Sequence, residues 1–562
     1  MQSIGDFKAP GPGVWELERT HMTRPITRAM ETIMPAAAMA GFRATTSRYG
    51  LLLDYLEFGI VNRFIYICPR PVGAPKGAKG PPPKLIFQAL TKLHPEVRKR
   101  IRTSEMVFAT KLWREDLARW DDEVKPAIIR QNRELQAVDA RALSDAELAA
   151  HVRRCCDAVT RAITTHHSFN ATAMLPLGDF LVHVRDWTGL APSAVLPLFR
   201  GASRVSNGAA DELAALVRAL AAHADAATLL AGSDPRAIID ALTARTDAAG
   251  AAARAYVDAA GVRIATGYDL ADLTIGEMPE LLVENIRASL GGGSAQTRDD
   301  VIEREAALRE RVPAQHRQRF DELLAEARAV YRLRDERTYE NDTWSAGITR
   351  RALLAAGERL VAKGRLHEAQ HAVELTPDEL VSLLGGGNGP SADEAAAHAH
   401  YRATHTIADA PPFLGGTPSD PPPAEWLPPA AARAARAIGM VMNEMFAARE
   451  TARSDAAGVS GYPASPGEVV GVARLVLAPA DMARVRKGDV LITRATAPSY
   501  NALLPLLSGI VTDRGGTLSH AAVVAREYGI PAVVGCGNAT ERIRDGARVR
   551  IDGASGTVEV LA

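Results

Sequence analysis

The chain has 562 residues, 47% of them apolar and 5% aromatic. That length exceeds what one hydrophobic core organises, so about two or three domains are expected. Its 66 lysines and arginines balance 66 aspartates and glutamates, so net charge favours neither nucleic acid nor an acidic substrate or membrane as partner. The four cysteines form no CxxC, no apolar run of about eighteen residues occurs, and Met1 to Trp15 lacks a basic-then-apolar leader. The expectation is a cytoplasmic protein with reduced thiols, Cys536 being a small packed residue.

Residues 1–14 read as a flexible lead, and the chain becomes structured from Trp15. Pro69 to Pro83 is a basic stretch rich in proline and glycine. Between Arg70 and Arg102 nine lysines and arginines face one acid, Glu96. Such a run is a solvated face or, functionally, a docking surface for an acidic partner. From about Pro95 to Ala265 the apolar spacing is helical. Ser144-Asp145-Ala146-Glu147 and Thr376-Pro377-Asp378-Glu379 carry the capping-box pattern. The segments 209–223, 235–260 and 298–331 read as amphipathic helices. Gly291-Gly292-Gly293 and Gly385-Gly386-Gly387 precede no Lys-Ser/Thr, which argues against nucleotide-binding loops.

Three places in this helical region carry candidate chemistry. Thr165-His166-His167-Ser168-Phe169-Asn170 is the densest polar cluster on an otherwise apolar helix. His166 and His167 are adjacent rather than four apart, so they cannot form a simple helical metal site. They are either one packed and one surface histidine, or a general base that deprotonates or binds an acceptor hydroxyl. Asp186-Trp187 and Tyr339-Glu340 through Trp344 are candidates for an aromatic-lined pocket, or else core. No metal-ligand set is expected. Beyond them, Pro411-Pro412, Pro421-Pro422-Pro423 and Pro428-Pro429 mark a proline-rich linker, followed by a helix over roughly 430–452. Short strands begin near Val459, and a domain boundary is expected between about 452 and 460.

The most informative stretch is Thr512-Asp513-Arg514-Gly515-Gly516-Thr517-Leu518-Ser519-His520, running on to Gly535. Gly509-Ile510-Val511 reads as a buried strand, and Gly515-Gly516 permit a sharp turn with backbone N–H groups near a ligand. Ser519 is a helix cap, His520 to Tyr528 a helix, Gly529 its stop, and Ile530 to Val534 a returning strand. A phosphoryl group bonded to His520 would face unpaired N–H groups and the positive end of a helix dipole.

This motif closely resembles the phosphohistidine signature of the swivelling domain in phosphoenolpyruvate-utilising enzymes. Ser465-Pro466-Gly467, Lys487-Gly488-Asp489-Val490-Leu491, Pro498 and the closing Asp545 to Gly553 extend the resemblance across roughly 460–562. The resemblance implies that His520 is the phosphorylated histidine. Leu518 stands where dikinases usually carry threonine, so a regulatory switch there is not expected. The leucine is closer to the branch that phosphorylates antibiotics and phenols. Trp15 to Thr27, Val61 to Tyr66, Leu198 to Gly201 and Arg350-Arg351 to Leu380 resemble the substrate-binding domain of rifampicin phosphotransferase and the large subunit of phenylphosphate synthase.

Together these imply a multidomain protein: a large mostly α-helical substrate-binding domain over 15–410, a proline-rich linker and hinge helix over 411–459, and a small α/β (β/β/α) swivelling phosphohistidine domain over 460–562. The resemblance further implies that a separate ATP-grasp protein, holding ATP and Mg²⁺, charges His520, and that a small-molecule hydroxyl accepts the phosphoryl group. Neither an ATP-grasp pattern nor a phosphoenolpyruvate barrel is legible in the chain. Thr517 and Ser519 are expected to bond phosphoryl oxygens and Arg526 to neutralise them, unless Arg526 pairs with a neighbouring acid. Gly515 and Gly516 form the phosphate loop. His166, His167, Asp186, Trp187, Tyr339 and Arg350 are the candidates for acceptor binding. The competing readings are a pyruvate/phosphoenolpyruvate component working in trans and a non-catalytic ligand-binding protein.

Overall fold

A computed structural model describes residues 5–203, 209–223, 225–290, 299–446, 458–482, 484–496, 500–501 and 503–561. The protein is multidomain and mostly helical, with a β-rich C-terminal region. It divides into two compact units: Met1–Asp179, Tyr268–Ala271 and Glu340–Ile438 form the first, and Phe180–Gly267, Asp272–Tyr339 and Gly439–Ala562 the second.

In the first unit, β1 (Trp15–Leu17), β2 (Leu53–Val61), β3 (Phe64–Pro71) and β4 (Phe413–Leu414) make an antiparallel sheet in the order β2-β3-β1-β4. Asn62 and Arg63 turn the hairpin with positive φ, as a tight hairpin requires. Trp15, Leu17, Phe64 and Tyr66 fill its core. The stretch expected to be a flexible lead is packed from Gly5 on. Phe7 lies against Phe64 and Tyr66 at 6.1 and 6.5 Å, and Arg70 donates to the Pro12 carbonyl at 2.9 Å. The proline-rich zone is likewise not all linker, because β4 lies within it and pairs with β1. Arg70 and Arg100 are buried, Arg70 bonded to Glu57 and Arg100 to Glu96 and Asp54. Two members of the basic run, expected on a solvated face or a docking surface, therefore hold the fold instead.

The long helices Arg28–Arg48 and Asp145–Ser168 cross closely at Gly41, where a Cβ would lie 2.5 Å from the Thr164 carbonyl oxygen. Glycine is needed for that approach. The capping boxes at Ser144 and Thr376 both form. Gly385 ends the helix Pro377–Leu384 as its C-cap; 291–293 lie outside the described residues.

In the second unit the expected helix 235–260 is two, Pro235–Ala244 and Ala248–Gly261. Asp247 restarts the chain by accepting the Gly250 N–H at 2.9 Å. The segment 298–331 divides similarly, into Asp299–Arg311 and Arg317–Tyr331, around Pro313. The C-terminal sheet runs through β5 (Gly458–Ser460), β6 (Tyr462–Ser465), β7 (Glu468–Leu475), β8 (Asp489–Thr493), β9 (Leu507–Thr512), β10 (Ala532–Val534), β11 (Arg548–Asp552) and β12 (Thr557–Val560). Its order is β5-β12-β11-β7-β8-β9-β10-β6, parallel from β7 to β10.

The helix His520–Tyr528 links β9 to β10 and ends at Gly529 in the left-handed region, as the sequence predicts. Its Ala521, Ala522, Val524 and Ala525 share one core with Ile510 and Leu503. Met278, Leu281 and Ala288 from the helical region enter the same core. That shared apolar contact is why residues 180–267 and 272–339 group with the sheet, and why the compact units cut across the expected 15–410 domain. Most of the expected boundary at 452–460 lies outside the described residues, as does Pro498.

Candidate functional site

The turn from β9 into the helix His520–Tyr528 is tied down residue by residue. Gly515 has φ of 101°, and a Cβ there would meet Ser519 Cβ at 2.7 Å. Asp513 is buried and accepts from the Thr540 N–H at 3.0 Å and from its hydroxyl. The Gly516 and Leu518 amides donate to the Met445 and Glu444 carbonyls at 3.2 and 2.8 Å. Each bond replaces water for a backbone group that burial would otherwise strand.

His520 opens the helix, where first-turn N–H groups have no intrahelical acceptor and the dipole is positive. Its Nδ1 lies 2.9 Å from Thr496 Oγ1 and its Nε2 2.9 Å from Asn501 Oδ1. With Asn501 Oδ1 accepting, Nε2 carries the proton and the Thr496 hydroxyl donates to Nδ1. Burial, then the nearby Arg334 guanidinium, push the His520 pKa down to about 3. The imidazole is therefore uncharged and nucleophilic at neutral pH. Arg334 Nη2 donates to the Leu518 carbonyl at 2.9 Å, while its Nη1 is buried without a hydrogen-bond partner. Ser519 Oγ is also buried and unpartnered, although its backbone has the extended N-cap conformation. Two unsatisfied polar groups beside a neutral imidazole suit an anion carried on that ring.

Two expectations at this loop are corrected. The Thr517 hydroxyl donates to the Glu444 carboxylate rather than standing open to a phosphoryl oxygen. Arg526 is 4% exposed, and its guanidinium donates to the Ala464 and Thr517 carbonyls at 2.9 and 2.8 Å. It braces the loop instead of presenting charge to His520. Sequence reasoning missed Arg334, Thr496, Asn501 and Glu444. None belongs to the motif, and only the fold brings them to it.

The six acceptor candidates do not form one cluster. His166, His167 and Arg350 belong to the first unit, and Asp186, Trp187 and Tyr339 to the second. His166 Nδ1 lies 2.5 Å from Asp342 Oδ2. His167 stacks on Phe42 at 4.4 Å and 22°. Arg350 is buried, donates to the Leu270 carbonyl at 3.0 Å, and lines a separate cavity of about 460 Å³ with His371, Glu374 and Arg402. Trp187 stacks on His316 at 5.0 Å, and Arg263 lies over the Tyr339 ring at 3.9 Å. Cys536 is 3% exposed, as a packed thiol should be.

Residues 485–556, which include His520, match the mobile domain of PEP-utilising enzymes. Residues 167–335, which include Arg334, match the fourth domain of rifampicin phosphotransferase. The chain is 29% identical over 394 residues to a rifampicin phosphotransferase of Streptomyces sp, covering 67% of this chain and 42% of that protein. It is 49% identical over 102 residues to the rifampicin phosphotransferase of Streptomyces sviceus, covering 18% and 12%. It is also 48% identical over 101 residues to the phosphoenolpyruvate synthase of Aeropyrum pernix, again covering 18% and 12%. The chain thus spans less than half the length of these relatives.

Proposed function

We propose that this chain carries a phosphoryl group on His520 and delivers it to an organic hydroxyl, as one component of a dikinase-type phosphotransferase. The observation that supports the reading most is the pairing of an uncharged, half-buried His520 with unpartnered Ser519 Oγ and Arg334 Nη1, inside a segment matching the PEP-utilising mobile domain. The longer similarity to a rifampicin phosphotransferase favours an organic acceptor.

In the first half-reaction a separate ATP-grasp protein presents ATP·Mg²⁺. The β-phosphoryl group passes to His520 and, with water consumed, AMP and phosphate leave. Mg²⁺·ATP enters as the substrate that the partner brings. This chain's own task is to keep the imidazole uncharged, orient it through Thr496 and Asn501, and meet the arriving charge with Arg334, Ser519 and the helix N-terminus. In the second half-reaction an acceptor hydroxyl attacks the phosphorus and His520 leaves. The transition state is loose, so alignment and charge stabilisation carry the catalysis.

A phosphoenolpyruvate donor supplied in trans is the second reading, favoured by the 48% identity with a phosphoenolpyruvate synthase. One experiment separates the two. The chain is mixed with its candidate ATP-grasp partner and β-labelled ATP, and acid-labile, base-stable protein label is followed beside His520→Ala. Label that requires both the partner and His520 supports the ATP route. Label from phosphoenolpyruvate but not from ATP supports the second reading, and label from neither excludes a carrier role.

A further inference from the structure

The basic run between Arg70 and Arg102 holds nine lysines and arginines, and the fold itself uses few of them. Arg70 and Arg100 are buried in ion pairs, and Lys99 lies 3.9 Å from Glu96. Lys76, Lys79, Lys84, Lys92, Arg98 and Arg102 are exposed, and none makes an ion pair among the described residues. Glu105 on the second helix of the run, with Asp420 and Glu425 in the proline-rich segment that packs on it, are exposed acids too few to balance them. Backbone bonds fix where the loop lysines stand. Arg70 Nη1 donates to the Lys76 carbonyl at 2.6 Å, and Ser419 Oγ to the Lys79 carbonyl at 2.8 Å.

The same segment turns an apolar face to solvent. In the helix Lys84–Leu93, Leu85 is 80% exposed, Leu93 75% and Ile86 54%. Leu85 and Leu93 are the most exposed large apolar side chains among the described residues. At about 100° per residue, Leu85, Ile86, Ala89 and Leu93 fall within roughly 100° of arc, so they make one stripe. The opposite side of the helix already serves the core. Phe87 lies against Trp426 at 6.0 Å, and Thr91 is buried. On the next helix, Pro95–Thr110, the positions of Arg98, Arg102 and Met106 recur every fourth residue and share a face, with Met106 51% exposed. Single exposed apolar residues are ordinary, whereas a stripe ringed by unpaired cations marks a contact surface.

We infer that the helix Lys84–Leu93, with the cations around it, docks on a bilayer surface that contains anionic phospholipid. The stripe enters the boundary between headgroups and acyl chains, and the lysines meet the lipid phosphates above it. A leucine 80% exposed lines no groove, and a soft apolar layer accepts a projecting side chain without a matching cavity. Four of the six unpaired cations are lysines. These are flexible point charges that suit a diffuse anionic surface, whereas a shaped acidic site on a protein favours the arginine fork. Neither signal alone holds a protein on a membrane, but an apolar stripe and a polybasic cluster together do. The zero net charge of the chain does not oppose this, because the excess is local and screening confines its reach to about 10 Å. No helix among the described residues is long and apolar enough to cross a membrane, so the contact is peripheral. The inference does not depend on which donor charges His520.

The test uses the full chain and extruded vesicles of phosphatidylcholine, alone or with about a quarter phosphatidylglycerol. Co-sedimentation is expected with the anionic vesicles and not with the neutral ones, and should fall roughly tenfold or more on raising salt to ~0.5 M. Leu85→Ser with Leu93→Ser, and separately Lys84→Gln with Lys92→Gln, should each weaken binding on the order of tenfold. The melting temperature should stay unchanged, because these side chains are exposed. All four native cysteines are buried, so a polarity-sensitive dye on Ala89→Cys reports this helix alone. Its emission should shift to the blue on anionic vesicles. No binding to anionic vesicles, or binding that both variants retain in full, would overturn the inference. Without vesicle binding, a dimer or a complex with the candidate ATP-grasp partner that the leucine variant abolishes would assign the face to a protein instead.

Discussion

Arg334 donates through Nη2 to the carbonyl oxygen of Leu518 at 2.9 Å, which places a guanidinium beside His520 from a helix nearly two hundred residues earlier in the chain. That charge opposes protonation of His520 and would favour a phosphoryl group on it. Arg334→Gln should therefore act in opposite directions on the two states. The pKa of unloaded His520 should rise, and the equilibrium for loading should fall about tenfold, equivalent to about 1.4 kcal/mol. Imidazole titration by NMR and the fraction of phosphohistidine at fixed donor concentration read the two effects. A change in only one would mean that Arg334 does not act through charge.

The depressed pKa of His520 also sets a pH signature. The folded chain refuses a proton until about pH 3, whereas an unfolded chain takes one near 6.5. As pH falls through that window the unfolded state gains protons that the folded state does not, so this group lowers stability on acidification. Urea midpoints from pH 7 to 4 should fall less in His520→Gln than in the wild type. The His520 ring signals should stay fixed between pH 8 and 5.

Glu527 pulls the other way. Burial raises its carboxyl to about 7, and it accepts the Gly201 N–H at 2.8 Å. Between about 4.5 and 7 the folded state holds a proton that the unfolded state has released. Its contribution is therefore present at low pH and lost as pH rises through 7. Glu527→Gln keeps an acceptor for Gly201 and removes the buried charge. It should raise the melting temperature at pH 8 and leave it nearly unchanged at pH 4.5.

Gly515→Ala tests the loop. At φ of 101° an alanine is strained, and its Cβ would press on Ser519 at 2.7 Å. The cost should be about 1–2 kcal/mol. The loading rate of His520 should fall more than stability alone explains, because Ser519 and the ring must shift. Denaturant unfolding and phosphoramidate loading, measured on the same protein, separate the two.

Arg526→Met should destabilise by roughly 1–3 kcal/mol, because the Ala464 and Thr517 carbonyls would be left buried and unpaired. The His520 titration should not move. A raised His520 pKa in this variant would restore Arg526 to the electrostatic role that the structure assigns to Arg334.

The local chemistry of the loop was legible in the residues themselves. A buried apolar strand, a glycine at a positive φ, an N-cap and a glycine stop are nearest-neighbour demands, so the β9–turn–helix unit around His520 appears where the sequence predicts it. Ser144 and Thr376 cap their helices for the same reason. The partners of the motif were not legible. Arg334, Thr496, Asn501 and Glu444 reach the loop through long-range packing, and no periodicity records which distant side chain will face it. Arg526 and Thr517 were misjudged because spacing gives a residue's place on a helix or turn but not which carbonyl or carboxylate its side chain meets. His166 was marked by type, yet Asp342, which converts a polar histidine into an oriented one, is set by the fold of a π-helical turn, Arg337–Asp342. The conformation of the loop around His520 follows from its own residues, because short-range steric and capping rules act between neighbours. What surrounds that loop follows from packing, because contacts between distant segments form wherever they bury the most apolar surface and strand the fewest polar groups.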